Sequence, residues 1–456
     1  MKIAVIGAGT FGSYIVDTIS RKYKNCEITL YEVGSNKIKN EEEIGFRSNI
    51  ISNNYNGLSK GRFFGFGGTS TKWGGQLLTF SDNDFSNPSP LLKEIIEINK
   101  KHQASIFSKF GIDYSYNEQI ISQNLFVKTG VWLGYFNRNL FKYFRIKKLK
   151  NVKIVSNSRL IKIIKDESNR IQKIIIKKDE KEFEAEFDFY FLTAGAFESA
   201  RLLIESKLVP LDRLNFSDHL SQKAFKIKGD TVINEIDFSF RIKGASLITK
   251  RIIGEIDNIS FFANPIYNSE FPFFDNLKKL LFHRSLSTKL VFSVFKDLPS
   301  FIKFIWYLSV LRKLYVHKNE WYINIDIENY LNDNFINLSD IKDRYNELSL
   351  EVSFSVDKNI PLIFEKARKI IEKFLINNNV NYENCFSKIE IEKYEDTYHP
   401  FGLLCNFNSV YEYFNMFQNM LVVNTGILPR AGGINLTAAV FPLIEEYISE
   451  YMPLSS

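Results

Sequence analysis

Cysteine is scarce in this chain of 456 residues: Cys26, Cys385 and Cys405 are the only three, and none stands at the paired spacing of a zinc site or a disulfide framework. No metal and a reducing, cytoplasmic compartment are therefore expected. Histidine is nearly as rare, at 102, 219, 283, 317 and 399, so imidazole chemistry has few places to sit. No run of about 18 apolar residues occurs, which argues against a spanning helix. The nearest stretch, Phe301 to Leu314, is interrupted by Lys303 and Arg312. A long basic block is also missing. The formal charge is +7, but Lys and Arg are mixed with Asp and Glu, and nucleic acid is not an expected partner. There is no internal repeat and no low-complexity tract. The apolar stretch Lys2 to Val16 contains Gly7, Gly9 and Gly12 and no small-residue cleavage site follows, so it reads as a strand and turn rather than a signal peptide.

Glycine, by contrast, is concentrated in two places. Residues 2–6 read as a buried parallel strand, Gly7-Ala8-Gly9-Thr10-Phe11-Gly12 as a turn opening a helix, and 27–31 as a second strand ending at Glu32. Glu32 follows Gly12 by 20 residues, the spacing at which a carboxylate takes ribose hydroxyls while the helix N-terminus, at Thr10 and Phe11, faces a pyrophosphate. The second concentration is Gly65-Phe66-Gly67-Gly68-Thr69-Ser70-Thr71-Lys72-Trp73-Gly74-Gly75-Gln76, whose backbone can press N–H groups against phosphate or a flat ring. Gly67, Gly68, Thr69, Ser70, Trp73, Gly74 and Gly75 are accordingly expected at the cofactor.

Further along, Val152–Val155, Leu160–Lys165, Ile171–Lys178 and Glu182–Phe187 read as one sheet-like region. It leads into a buried strand that ends at Ala194 and Gly195. Segments 321–327 and 348–354 read as strands of a substrate domain, with a helix over 360–376. Residues 276–318 interleave Lys and Arg with Phe, Leu and Trp306, a pattern that fits either an amphipathic cover or an interfacial, membrane-touching surface. The length implies two intertwined domains. The expected division is 1–85, 125–215 and 396–456 for an α/β, Rossmann-type FAD-binding domain, 86–124 for a connecting lid, and 216–395 for an α+β substrate domain on an antiparallel sheet.

These motifs resemble, in order along the whole chain, the glucose-methanol-choline family of FAD-dependent oxidoreductases. The resemblance rests on Gly67-Gly68-Thr69-Ser70, on Ala194-Gly195-Ala196 followed by Glu198-Ser199-Ala200-Arg201-Leu202-Leu203, on Asp218-His219, and on Ile325-Asp326-Ile327-Glu328 ahead of Ile336-Asn337-Leu338-Ser339. It also rests on Tyr398-His399-Pro400-Phe401-Gly402 and Gly432-Gly433-Ile434-Asn435, closest in look to the cholesterol oxidase branch. Departures are Asn424 where the family commonly has Asp, Leu403 and Leu404 after Gly402, and Leu436 where proline is usual.

The resemblance implies His399 as general base and Asn435 as holder of the alcohol oxygen, with Asn424 and Thr425 near the flavin phosphates. Members that link the flavin covalently use a His in Ser-Thr-His-Trp; Lys72 stands there in Ser70-Thr71-Lys72-Trp73, which implies non-covalent FAD. The implied substrate is a small-molecule alcohol, a sugar or sugar conjugate such as a nucleotide sugar or lipid-linked sugar, with peripheral contact at the inner face of a membrane. Two other classes stay open: a non-redox flavin-dependent sugar mutase, and a degenerate membrane-associated flavoprotein with a binding role. His219 is expected at a domain boundary, and His102, His283 and His317 as structural.

Overall fold

The run Lys2–Ile6 is buried at every residue after the first, as a strand covered on both faces must be. In the computed structural model it is the middle of a five-stranded parallel sheet, ordered Met420–Val422, Phe189–Leu192, Lys2–Ile6, Glu27–Tyr31, Val152–Val155. The structure describes residues 1–51, 55–112, 118–122, 125–267, 296, 298–329, 333–385 and 394–452. Helix Thr10–Lys22 follows the first strand and is buried continuously from Phe11 to Ser20. Its Tyr14 ring stacks on Phe441 of the last helix, Thr437–Glu446, with centroids 4.3 Å apart. The expected βαβ unit is thus the middle of a Rossmann-type domain.

Val152–Val155 departs from expectation. It pairs in parallel with Glu27–Tyr31 instead of joining the strands after it, and only Ser158–Lys165, Ile171–Lys178 and Lys181–Ala185 form the separate antiparallel sheet. A four-residue strand carries no local mark of its partner, and the turn at Asn157, with φ of 52°, redirects the chain between the two sheets.

The second domain is built on a ten-stranded antiparallel sheet whose main path runs Tyr382–Asn384, His219–Lys228, Glu320–Glu328, Ile259–Tyr267, Ser246–Ile256, Leu125–Leu133, Gln76–Leu77. Leu125–Leu133 lies here, paired with Ser246–Ile256, so the stretch 125–215 is shared between the two domains. Helix Ile360–Asn377 covers this sheet with Ile363, Phe364, Ala367, Ile371 and Phe374 inward, a helical stripe. A smaller sheet joins Ser48–Ile50 to Leu348–Ser353 in parallel. Of the segment expected to be amphipathic, 276–295 and 297 lie outside the described residues; its described part, 296 and 298–318, contains helix Leu298–Ser309. Among the described residues no helix is long and apolar enough to cross a membrane.

Candidate active site

A cleft of about 500 Å³ runs across the carboxyl ends of the parallel strands, where open α/β sheets take their ligands. Of the residues expected at a cofactor, Gly7, Gly9, Thr10, Phe11, Glu32, Gly68, Thr69, Trp73, Gly74, Ala194, Gly195, Asn424 and Thr425 line it, and so do His399 and Asn435 at one end. Gly12, Gly67, Ser70 and Gly75 do not; they hold its walls from behind. Gly12 is where the helix presses on the turn, since a Cβ there would sit 1.9 Å from the Gly7 carbonyl oxygen. The Gly67 amide donates to the Ala8 carbonyl at 2.9 Å. The Ser70 hydroxyl donates to the Gly67 carbonyl at 2.6 Å and accepts from the Leu140 amide at 3.1 Å. Gly75 accepts from the Leu133 amide at 2.8 Å, tying the loop to the second domain.

The donor set fits FAD. The first turn of helix Thr10–Lys22 contains no acidic residue, and its backbone N–H groups face the cleft beside Gly9, the place for a pyrophosphate. A Cβ built at Gly195, where φ is 84°, meets nothing within 4 Å, so the cleft wall is left open there for a ligand.

Glu32 is more committed than its spacing implies. One carboxylate oxygen accepts from the Ala8 amide at 2.8 Å, and the other accepts from Gly34 and Gly65, each at 2.9 Å. Burial raises its pKa against the pull of these three bonds. The side chain clasps the two glycine loops together while leaving acceptor capacity for a ribose hydroxyl. Glu32→Ala should therefore weaken FAD binding and lower Tm together, because each lost bond to a charged group is worth about 1.5–3 kcal/mol. Titration with FAD and thermal melts check this; unchanged Tm would remove the clasp.

At the other end of the cleft the His399 ring is partly exposed to the cavity and otherwise enclosed. Its Nδ1 lies 3.0 Å from Thr397 Oγ1, and that hydroxyl donates to Asp218 Oδ1 at 2.9 Å. With its one proton directed to the carboxylate, Thr397 accepts from Nδ1–H, and the network assigns the lone pair to Nε2. Asp218 is fully buried and also accepts from Tyr55 Oη at 2.7 Å and from the amides of His219 and His399. Burial, then the nearby His219 and Arg251, lower the His399 pKa to about 3, so the ring is a neutral base at ordinary pH.

Asn435 is aimed by Arg251. The buried guanidinium donates to Asn435 Oδ1 at 3.2 Å and the Gly433 carbonyl at 3.3 Å, and also bonds Gln76 Oε1. With its oxygen so held, Asn435 offers the cleft its amide nitrogen. The segment before it is fixed by Glu328, which takes Arg430 at 2.5 Å and the amides of Ala431 and Gly432 at 2.7 Å each.

His219 joins segments of the two domains: it is fully buried, its Nε2 donates to the Gly432 carbonyl at 2.8 Å, and its ring centroid is 6.4 Å from that of His399. Asp218, His219 and His399 are close enough to share a cation, yet both Asp218 oxygens are already filled by hydroxyl and amide donors. Sequence reasoning missed Tyr55, Thr397 and Arg251 altogether, and used Gln76, Asp218 and Glu328 only as members of motifs. The Thr-x-His spacing of 397 and 399 was a usable signal for one of them.

No protein-family model matches the chain, and no curated protein does. Among solved structures it is similar to pyridoxine 4-oxidase from Mesorbium loti, with a TM-score of 0.57 and 14% identity over 100% of both chains. That likeness extends to the whole fold, both domains included.

Proposed function

We propose that the protein is a flavin-dependent oxidoreductase of the glucose-methanol-choline type that oxidises a hydroxyl to a carbonyl on a sugar or sugar conjugate. The observation that carries this reading is the meeting, at one end of a dinucleotide-shaped cleft, of an imidazole held with a free Nε2 and an amide held with a free N–H. The name of the similar solved structure, an oxidase, supports the same class of chemistry. Bound FAD would supply a hydride acceptor at N5. His399 Nε2 takes the hydroxyl proton as the hydride leaves the adjacent carbon, and Asn435 donates to the oxygen while it carries negative charge. Gly68, Thr69, Trp73 and Gly74 line the same cleft.

Anaerobic mixing with a panel of sugars and nucleotide sugars tests the reading: one of them should bleach the flavin. Turnover of a sugar by rearrangement, with no dependence on His399, would favour a mutase instead. The cofactor itself should leave with acid or heat, since Lys72 occupies the place of a linking histidine; flavin that remains in the protein pellet after acid precipitation would contradict non-covalent binding.

A further inference from the structure

Next to strand residues that line the cleft, two segments far apart in sequence expose apolar side chains on elements joined by one ribbon. Tyr135 is 79% and Phe136 91% exposed. Their loop leaves the strand that contributes Trp132 to the cleft, and Trp73, also a lining residue, donates from Nε1 to the Arg138 carbonyl at 2.9 Å. Behind the loop, Gly134 is packed so closely on the turn at Ala245 that a Cβ would lie 2.3 Å from the Ala245 carbonyl oxygen. That turn closes the hairpin of Arg241–Lys243 with Ser246–Ile256, and Arg241 pairs in turn with Lys313. Helix Leu298–Ser309 enters this ribbon directly. It buries none of its residues, and Ile302, Trp306 and Val310 are each more than half exposed.

Charge decides what such elements face. The chain has 52 acidic residues, yet residues 125–138, 238–254 and 298–319, the three segments linked here, contain no Asp or Glu. They carry Arg138, Arg241, Lys303 and Arg312 among the aromatic and aliphatic tips. Asp237, just outside the second segment, is paired with Arg241 at 2.5 Å. Protruding single aromatics among cations suit insertion at the headgroup boundary, where apolar tips sink and cations meet anionic lipid.

We propose that these elements dock on an anionic lipid surface and hold the mouth of the cleft against it, so that the substrate hydroxyl is delivered from a lipid-anchored molecule. Docking stands by itself; delivery of a substrate rests on the oxidoreductase reading above.

The test is sedimentation of the full flavin-bearing chain with vesicles of phosphatidylcholine alone or mixed with phosphatidylserine. The protein should pellet with the mixed vesicles at low salt, less so at high salt, and not with phosphatidylcholine alone. The double variants Tyr135→Ser/Phe136→Ser and Ile302→Ser/Trp306→Ser should each weaken pelleting by about tenfold or more, with flavin absorbance unchanged. Lys303→Glu should weaken it further at low salt than at high salt. A protein that stays in the supernatant with mixed vesicles at low salt overturns the proposal. So does pelleting that ignores both aromatic variants, or equal affinity for soluble polyglutamate, which would point to an acidic protein partner. If the preparation carries no flavin, the oxidoreductase reading fails while the vesicle result still decides docking.

Discussion

Replacing His399 by alanine is expected to slow reduction of bound flavin by substrate about 10²–10⁴-fold, the usual contribution of a positioned general base, and to leave the flavin absorbance in place. The separation of effects follows from separate partners. His399 is held by Thr397 and Asp218, and Glu32 by the amides of Ala8, Gly34 and Gly65, so loss of the imidazole removes a proton acceptor without touching the bonds that clasp the glycine loops. With its pKa near 3, the ring is already neutral at pH 7, and its removal changes no net charge in the site. Asn435→Ala should cost less, because Arg251 and Gln76 remain to polarise the same end. Anaerobic stopped-flow reduction reads both variants; a His399 variant as fast as the parent would end the mechanism.

What could be read in the sequence follows the range of the interactions involved. The nucleotide-binding half was legible because its determinants are local: strand, glycine turn, helix and acid lie within residues 2–32, and each constrains its neighbour. Even there, spacing placed Glu32 at the ribose but could not show that three loop amides already claim it. The pairing of Val152–Val155 was not legible, since edge position in a parallel sheet is settled by which neighbour is free and not by the four residues themselves. The same holds for Leu125–Leu133, whose partner strand begins more than 100 residues later.

At the reacting end, His399 and Asn435 stood out through motif resemblance, whereas the groups that orient them come from remote segments. Tyr55 reaches Asp218 across 163 residues, Asp218 reaches the His399 amide across 181, and Arg251 reaches Asn435 across 184. A periodicity or spacing argument does not extend that far. The buried Asp218 is the clearest case: as a letter it marks a motif, and only the fold shows it to be the acceptor on which a hydroxyl and an imidazole are aligned.

That alignment makes the rate depend on the ionisation of Asp218, and Asp218→Asn should cut flavin reduction on the order of 10²–10⁴-fold, as expected when the charge that aligns and supports the base is lost. Burial, and after it the nearby Asp396, push the Asp218 pKa up to about 7 despite donors from Tyr55, Thr397 and His399; Tyr398 and the His219 ring are the other titratable groups near it. Above that pH the carboxylate accepts the Thr397 proton, Thr397 accepts from Nδ1–H of His399, and Nε2 is free to act. Below it the carboxyl carries a proton on the oxygen that faces Tyr55, and the neutral group that remains holds the Thr397 hydroxyl, and through it Nδ1–H of His399, less firmly, so Nε2 is a weaker acceptor. The parent should therefore lose activity as pH falls through about 7, far above the value near 3 at which His399 itself titrates. The amide introduced at 218 keeps its oxygen toward Thr397 and the two backbone N–H groups but is neutral at every pH, so the variant should be slow throughout and should lack this acid limb. Rates of anaerobic flavin reduction measured across that range decide the matter: a variant that keeps the parent's limb near neutrality would assign it to another group and detach Asp218 from the proton transfer.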